Sequence, residues 1–317
     1  MEFHRQIKKN ARASLKGSWG PAVAVFLTII GVYLLISALE QALYILLGMS
    51  GFKDVLNTPD FFFDDELNVD FWAVVCTGFS SLLLFLLGSP LAAGCARWYF
   101  SLSEGSPLGF EGLFFSFTSG KHYSRSLGAA FLISIRSALW GMLFLFPPVC
   151  LAAFFQWAGT FDTLPVSRML IDLGATASWI LFSIAIFALF IFLQRYFLVY
   201  YLLADRPQTP LLRIMSTSVK MMKHHKWEAF SLKFSFIGWQ LLAILVLPML
   251  YVTPFYYASM AIYARYVIEY FQRMQMGAGA DEYAAETEDD TQPPLEDDGK
   301  TKEYAFSDLQ EQMGQKN

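Results

Sequence analysis

Charge is what this sequence has least of. Lys, Arg, Asp and Glu make up 16% of the 317 residues, whereas a soluble domain carries about 25%. Hydrophobic residues reach 55% and aromatics 17%, and mean hydropathy is +0.41. That balance argues against a soluble enzyme, a secreted disulfide scaffold or a nucleic-acid binder. Cysteine is scarce as well. Cys76, Cys95 and Cys150 all lie in apolar runs, and an odd number cannot close into pairs, so they read as small buried hydrophobes rather than a redox or metal set. The histidines are His4, His122, His224 and His225; neighbours in sequence cannot put both rings on one helical face, so His224 and His225 read as part of a basic strip. The chain lacks a phosphate-cradling glycine loop, a zinc-protease helix, a GxSxG elbow and a CxxC pair. The expectation is therefore a protein without catalysis and without a cofactor.

What the chain has instead is long uncharged runs. A segment crossing hydrocarbon must be a helix of about 20 apolar residues, because nothing there satisfies a free backbone group. Gly17 to Leu39, Phe71 to Ala96, Ser137 to Phe161 and Leu173 to Gln194 hold 23, 26, 25 and 22 residues without an ionisable acid or base of the Asp, Glu, Lys and Arg set. The fifth run, Phe234 to Ala264, has 31, long for one crossing and short for two. Pro248 and Pro254 divide it, and the pair reads as a tight connection. The fold class expected is all-α, a polytopic membrane bundle of about six spans near 20–47, 71–97, 128–157, 175–203, 229–248 and 253–272. Residues 1–276 form this domain. The first run is too long, and too poor in a small-residue cleavage site, for a secretory signal.

The net charge of −4 is an average over opposed segments. Basic residues concentrate at 5–16, 97–125 and 206–233, while 48–70 and 158–174 hold one base each, Lys53 and Arg168. This alternation predicts a cell-membrane protein with both termini in the cytosol. Residues 277–317 carry twelve acids against Lys300, Lys302 and Lys316; such composition predicts a disordered cytosolic tail, with a protein partner for its Tyr304, Phe306 and Leu309 as the sharper alternative. In the outer link, Asp60, Asp64, Asp65, Glu66 and Asp70 read as a solvated acidic loop, since calcium would want ligands alternating around a glycine.

Three segments share one plan: a basic amphipathic stretch, an apolar span, a link, and a second span ending in Arg followed by an aromatic. The exits are Arg97-Trp98-Tyr99, Arg195-Tyr196-Phe197 and Arg265-Tyr266-Val267. Phe3, Ile7, Ala11 and Leu15 recur at helical spacing among bases, as do Leu211, Met215, Val219 and Met222, and a third stripe runs through Phe110, Leu113, Phe114 and Phe117. These read as helices in the inner interface, either covering the bundle or binding anionic headgroups. Three helical hairpins in parallel repetition are the expected architecture. Candidate headgroup or solute contacts are the exit arginines Arg97, Arg195 and Arg265, as a cationic ring, with Arg136 and Gln240 within spans, where polar groups are costly. Pro90 and Pro147-Pro148 mark helix interruptions, and Gly88, Ala92 and Gly94 mark close helix approach.

Leu15 to Trp19 in ARASLKGSWGPAVAVF, Ser235 to Trp239 (SFIGW), and Pro254 with Tyr263 carry a resemblance. The chain resembles a bacterial integral-membrane family known as domain of unknown function 975 (DUF975) over roughly residues 5–270. Two positions depart from the pattern: Phe255, where a tyrosine often follows the proline, and Arg265, near a site usually acidic. The resemblance implies the membrane fold and leaves activity open. Two functions compete. One is a non-catalytic protein that organises membrane lipids or partners through its basic helices. The other is a transporter or exporter of a small or amphipathic solute, with Arg136, Gln240 and the arginine ring along its path.

Overall fold

A computed structural model describes residues 2–47, 71–160, 168–242 and 245–288. The acidic outer loop and the tail beyond residue 288 lie outside the described residues. In order, the helices are α1 (Glu2–Ser14), α2 (Trp19–Leu46), α3 (Phe71–Ser103), α4 (Gly120–Gly159), α5 (Arg168–Leu193), α6 (Val199–Asp205), α7 (Leu211–Met221), α8 (Lys226–Phe234), α9 (Ile237–Leu242) and α10 (Val246–Glu288). Short 3-10 segments occupy Phe110–Phe117 and Gln194–Tyr196. All regular structure among the described residues is helical, and this is an all-α protein.

Four helical stretches are long and apolar enough to cross a membrane: Trp19–Leu46, Val74–Ser103, Gly120–Gly159 and Arg168–Asp205. Their surfaces are what lipid requires. Only 11% of the apolar window in Gly120–Gly159 and 6% of that in Arg168–Asp205 are buried, so Leu143, Phe146, Ile184 and Phe190 stand exposed. An apolar surface of that extent belongs in hydrocarbon and not in water. The protein is a multi-pass membrane protein.

The spans touch in antiparallel pairs. Tyr44, near the end of α2, shares a 2.6 Å hydrogen bond with Thr77 near the start of α3, and Tyr99, near the end of α3, donates to the Ala22 carbonyl at 3.3 Å. Between α4 and α5, the Phe155 ring lies over Gly174, where an added Cβ would meet it at 2.3 Å, and Trp140 donates to the hydroxyl of Tyr196, just past α5, at 3.2 Å.

Two expectations about the last uncharged run need correction. A continuous span at 229–248 is not present: α8 ends at Phe234, two residues of turn follow, and α9 covers only Ile237–Leu242. The turn is tight because the Phe236 amide bonds Lys233 one residue short of helical register, at 3.0 Å. Nor do Pro248 and Pro254 form a connection. The break comes earlier, and α10 begins at Val246 and runs through both prolines. Pro248 falls in the first turn, where its missing N–H is an orphan in any helix; only Pro254 removes an internal bond. Pro90 and Pro147-Pro148 are likewise carried inside unbroken helices. At the other end, α10 continues beyond residue 276 to Glu288, helped by the helix-favouring Ala284, Ala285 and Glu286. Compact packing covers the described residues up to Phe271, and the described residues from Gln272 onward form a separate unit.

The largest fully buried side chains gather where spans end. Leu15 just after α1, Trp98 and Tyr99 of α3, Leu113, Leu198 and Met215 belong to one cluster with Phe236 and Tyr263. The amphipathic readings place their residues here: Ile7, Ala11 and Leu15 are buried, and so are Met215 and Met222. The third stripe differs in form. Phe110–Phe117 is a 3-10 segment that buries Leu113 and Ser116 and leaves Phe114 and Phe117 exposed. Gly94 is what admits it. A Cβ there would lie 1.8 Å from the Leu113 carbonyl oxygen, whereas at Gly88 the nearest atom is 3.8 Å away and Ala92 is exposed. Cys76 and Cys95 are buried as expected, but Cys150 is exposed on the apolar face of α4.

Gly94→Ala should therefore force the 3-10 segment off α3, a backbone clash that costs about 1–3 kcal/mol or more. Gly88→Ala should be neutral. Thermal unfolding of both variants in the same detergent measures the contrast.

Candidate functional site

Around this buried end the basic residues fall into three settings. Those on α1, on α7 and just beyond it face outward: Arg5, Lys9, Arg213, Lys220 and Lys223 are exposed. Lys8 turns inward. Its ammonium donates to the Ser235 carbonyl at 3.2 Å and sits 4.3 Å from the centre of the Phe236 ring, binding α1 to the turn between α8 and α9. Burial holds this ammonium below the ordinary lysine pKa, since leaving water disfavours the charged form. Burial also lowers His4, with the N-terminal amine and Lys8 adding to the effect. On the loop after α3, burial raises the Glu104 carboxyl, with Arg265 opposing it.

The third setting is the arginines at span ends. Arg97 makes no hydrogen bond or ion pair with a described residue; its guanidinium carbon lies 3.4 Å from the centre of the Phe115 ring, and its Nη1 is buried without a partner. Arg125 donates from Nη2 to the Thr209 carbonyl, while its Nε is buried without a partner. A buried donor left unsatisfied costs about 1–3 kcal/mol. Both side chains line one partly open cavity of about 30 Å³, together with Phe115, Ser116, His122 and Tyr200. Among the described residues, no carboxylate lines its wall. Neighbouring Asp205 is engaged with Arg206 at 3.2 Å, and Lys121 bonds Gln208 at 3.2 Å, which helps hold the 205–210 loop over the cavity edge.

Arg195 is packed differently. Its guanidinium carbon lies 4.4 Å from the Phe192 ring centre and 5.5 Å from that of Trp140; its Nε too is buried and unpartnered. Beside it, Lys233 donates to Gln194 Oε1 at 2.6 Å. Arg265 is neutralised by Glu269, at 2.6 Å, and also donates to the Ser103 carbonyl. Arg136 is half-buried on α4, with no hydrogen bond or ion pair to a described residue, and Gln240 is exposed on α9. Of these five, Arg97 alone lines the cavity. The partners it meets there, Arg125, His122 and Tyr200, were not singled out from sequence. Their signal was weak: His122 and Arg125 stand three apart, on one helical face, just inside the start of α4. Among the described residues, no three His, Cys, Asp or Glu side chains gather in a way that would hold a metal.

A family model described as "Protein of unknown function (DUF975)" matches residues 1–270. The chain belongs to the DUF975 family. Comparison with curated proteins and with solved structures finds no match. The matched range takes in every part of the DUF975 site just described, from α1 to Arg265, and stops before the acidic segment.

Lys8→Ala should loosen α1 by about 1–2 kcal/mol, the worth of a charge-assisted hydrogen bond and its ring contact. Faster proteolysis after Arg5 and Lys9 in detergent, with the spans intact, is the expected readout.

Proposed function

We propose that this DUF975 protein is a non-catalytic organiser of anionic lipid at the cytosolic face of the bacterial cell membrane. The observation that carries this reading is the convergence of α1, Phe110–Phe117 and α7 on one buried cluster with the exits of α3 and α5 and with α10. Two of these segments, α1 and α7, lie far apart in sequence and thus bring their outward-facing bases to one end of the bundle. Each base near an anionic surface contributes about 1 kcal/mol of attraction, and interfacial helices of this composition bind by that term plus their apolar face. Polar groups aligned along a solute path would favour transport instead. Of the residues such a path would need, neither Arg136 nor Gln240 lines the cavity that holds Arg97.

The same reading takes α8, α9 and the first part of α10 as a third antiparallel pair, giving six crossings with both termini in the cytosol. In its support, Tyr263 donates to the His225 carbonyl at 2.9 Å while Phe236 meets Phe255 at 5.5 Å, so the two segments run in opposite directions. Periplasm-active and cytosol-active reporters fused after Glu104, Arg206 and Gln275 should all report the cytosol.

Replacing Arg5, Lys9, Lys220 and Lys223 together by Gln should lower co-purifying phosphatidylglycerol several-fold relative to phosphatidylethanolamine. An unchanged lipid profile would remove the basis for an organising role.

A further inference from the structure

We propose that the cavity between α3, the Phe110–Phe117 segment, α4 and α6 is a discrete site for one phosphate-type oxyanion. The anion would be either the terminal phosphate of a lipid headgroup or a free phosphate. This deepens the reading of the basic end as an anionic-lipid surface and rests on it for the side of the membrane. The outward bases of α1 and α7 act as a diffuse field; this site would be stoichiometric.

Four features specify the ligand. The wall holds the guanidiniums of Arg97 and Arg125, from different helices, without a facing carboxylate. Each keeps a buried N–H that no described residue satisfies, and neither is ion-paired as Arg265 is, where Glu269 supplies the counter-charge. Both are held in place before any ligand arrives, Arg97 over the Phe115 ring and Arg125 by the Thr209 carbonyl; preorganisation of this kind lowers the ordering cost of binding. Ser116, His122 and Tyr200 complete the wall with groups that hydrogen-bond. A carboxylate is served by a single arginine fork, whereas two guanidiniums and further donors match the larger number of oxygens on a phosphate. The volume of about 30 Å³ suits a small oxyanion head, with any glycerol or acyl part left outside the mouth. Arg97 sits at the exit of α3 beside Trp98 and Tyr99, residue types that mark the headgroup level.

The test uses the full chain in phosphatidylcholine nanodiscs. Inorganic phosphate is titrated in one arm; phosphatidate replaces a fraction of the lipid in the other, and retained phosphatidate per chain is read by native mass spectrometry. Arg125→Gln removes one arm of the site, and Arg97→Lys keeps charge at the span end while losing the planar fork, so one variant remains informative if the other misfolds. The expected result is one saturable equivalent, weakened at least about tenfold in each folded variant. Saturation by inorganic phosphate identifies a free-phosphate site; retention of phosphatidate alone identifies a headgroup site; both support the proposal. Binding equal in wild type and both variants, or no binding in either arm, would overturn it. The fourfold Gln variant of α1 and α7 separates the two readings. Loss of bulk phosphatidylglycerol with the single equivalent retained would count against the site's dependence on the rim, and loss of the equivalent in Arg125→Gln with bulk enrichment intact isolates the site.

Discussion

Hydrocarbon gives helices no reason to bury apolar faces against one another, because lipid tails solvate leucine as well as leucine does. The hydrophobic effect acts only where water reaches, and this protein places its core accordingly. The spans are bare over most of their length, yet at one end Leu15, Trp98, Leu113, Leu198, Met215 and Phe236 are fully enclosed. The amphipathic segments are what close that end. α1 and α7 each bring an apolar stripe for the core and bases for the water and headgroups, while Phe110–Phe117 adds apolar cover, so a single requirement, covering the exits of the spans, produces both the packing and the charge.

Polar groups then fix the arrangement. Indole and phenol donors reach carbonyls that helix geometry leaves available, as Trp98 does to Leu108 at 3.0 Å and Tyr263 to His225 at 2.9 Å. Ser218 of α7 donates to the Arg195 carbonyl at 2.8 Å, joining an interfacial helix to the end of a span. The arginines sit among these contacts on aromatic faces, which accept a cation without neutralising it. That is why the end of the bundle stays cationic although it is densely packed. Among the described residues the exceptions are Arg265, paired with Glu269, and Arg206, paired with Asp205.

Sequence periodicity and charge-free runs were sufficient for the four long spans and for the buried stripes of α1 and α7, because both signals are local. They failed at residues 234–248, where the chain stays apolar but turns at Ser235 and Phe236; the turn is secured by Lys8 from the far end of the sequence, a contact that no local pattern contains. The prolines misled for a related reason: Pro248 is harmless in a first turn, and its position there depends on where the preceding break falls. Arg97 was legible as a span-end arginine. Its partner Arg125 was not, since the two meet only when Gly94 lets Phe110–Phe117 close against α3 and α4 follows. The cationic end was thus readable as composition, and its cavity only as tertiary structure.

The account stands on the claim that all the basic segments occupy one face of the membrane while the spans are solvated by lipid. Single cysteines placed at Arg5, Glu104 and Lys220 in a cysteine-free background, with Leu143→Cys as the mid-span control, test it directly with a membrane-impermeant maleimide. The account predicts that the first three react only after the cells are permeabilised and that Leu143→Cys stays unreactive to the polar reagent throughout. Labelling of any one of the three in intact cells, or ready aqueous labelling at residue 143, would contradict it.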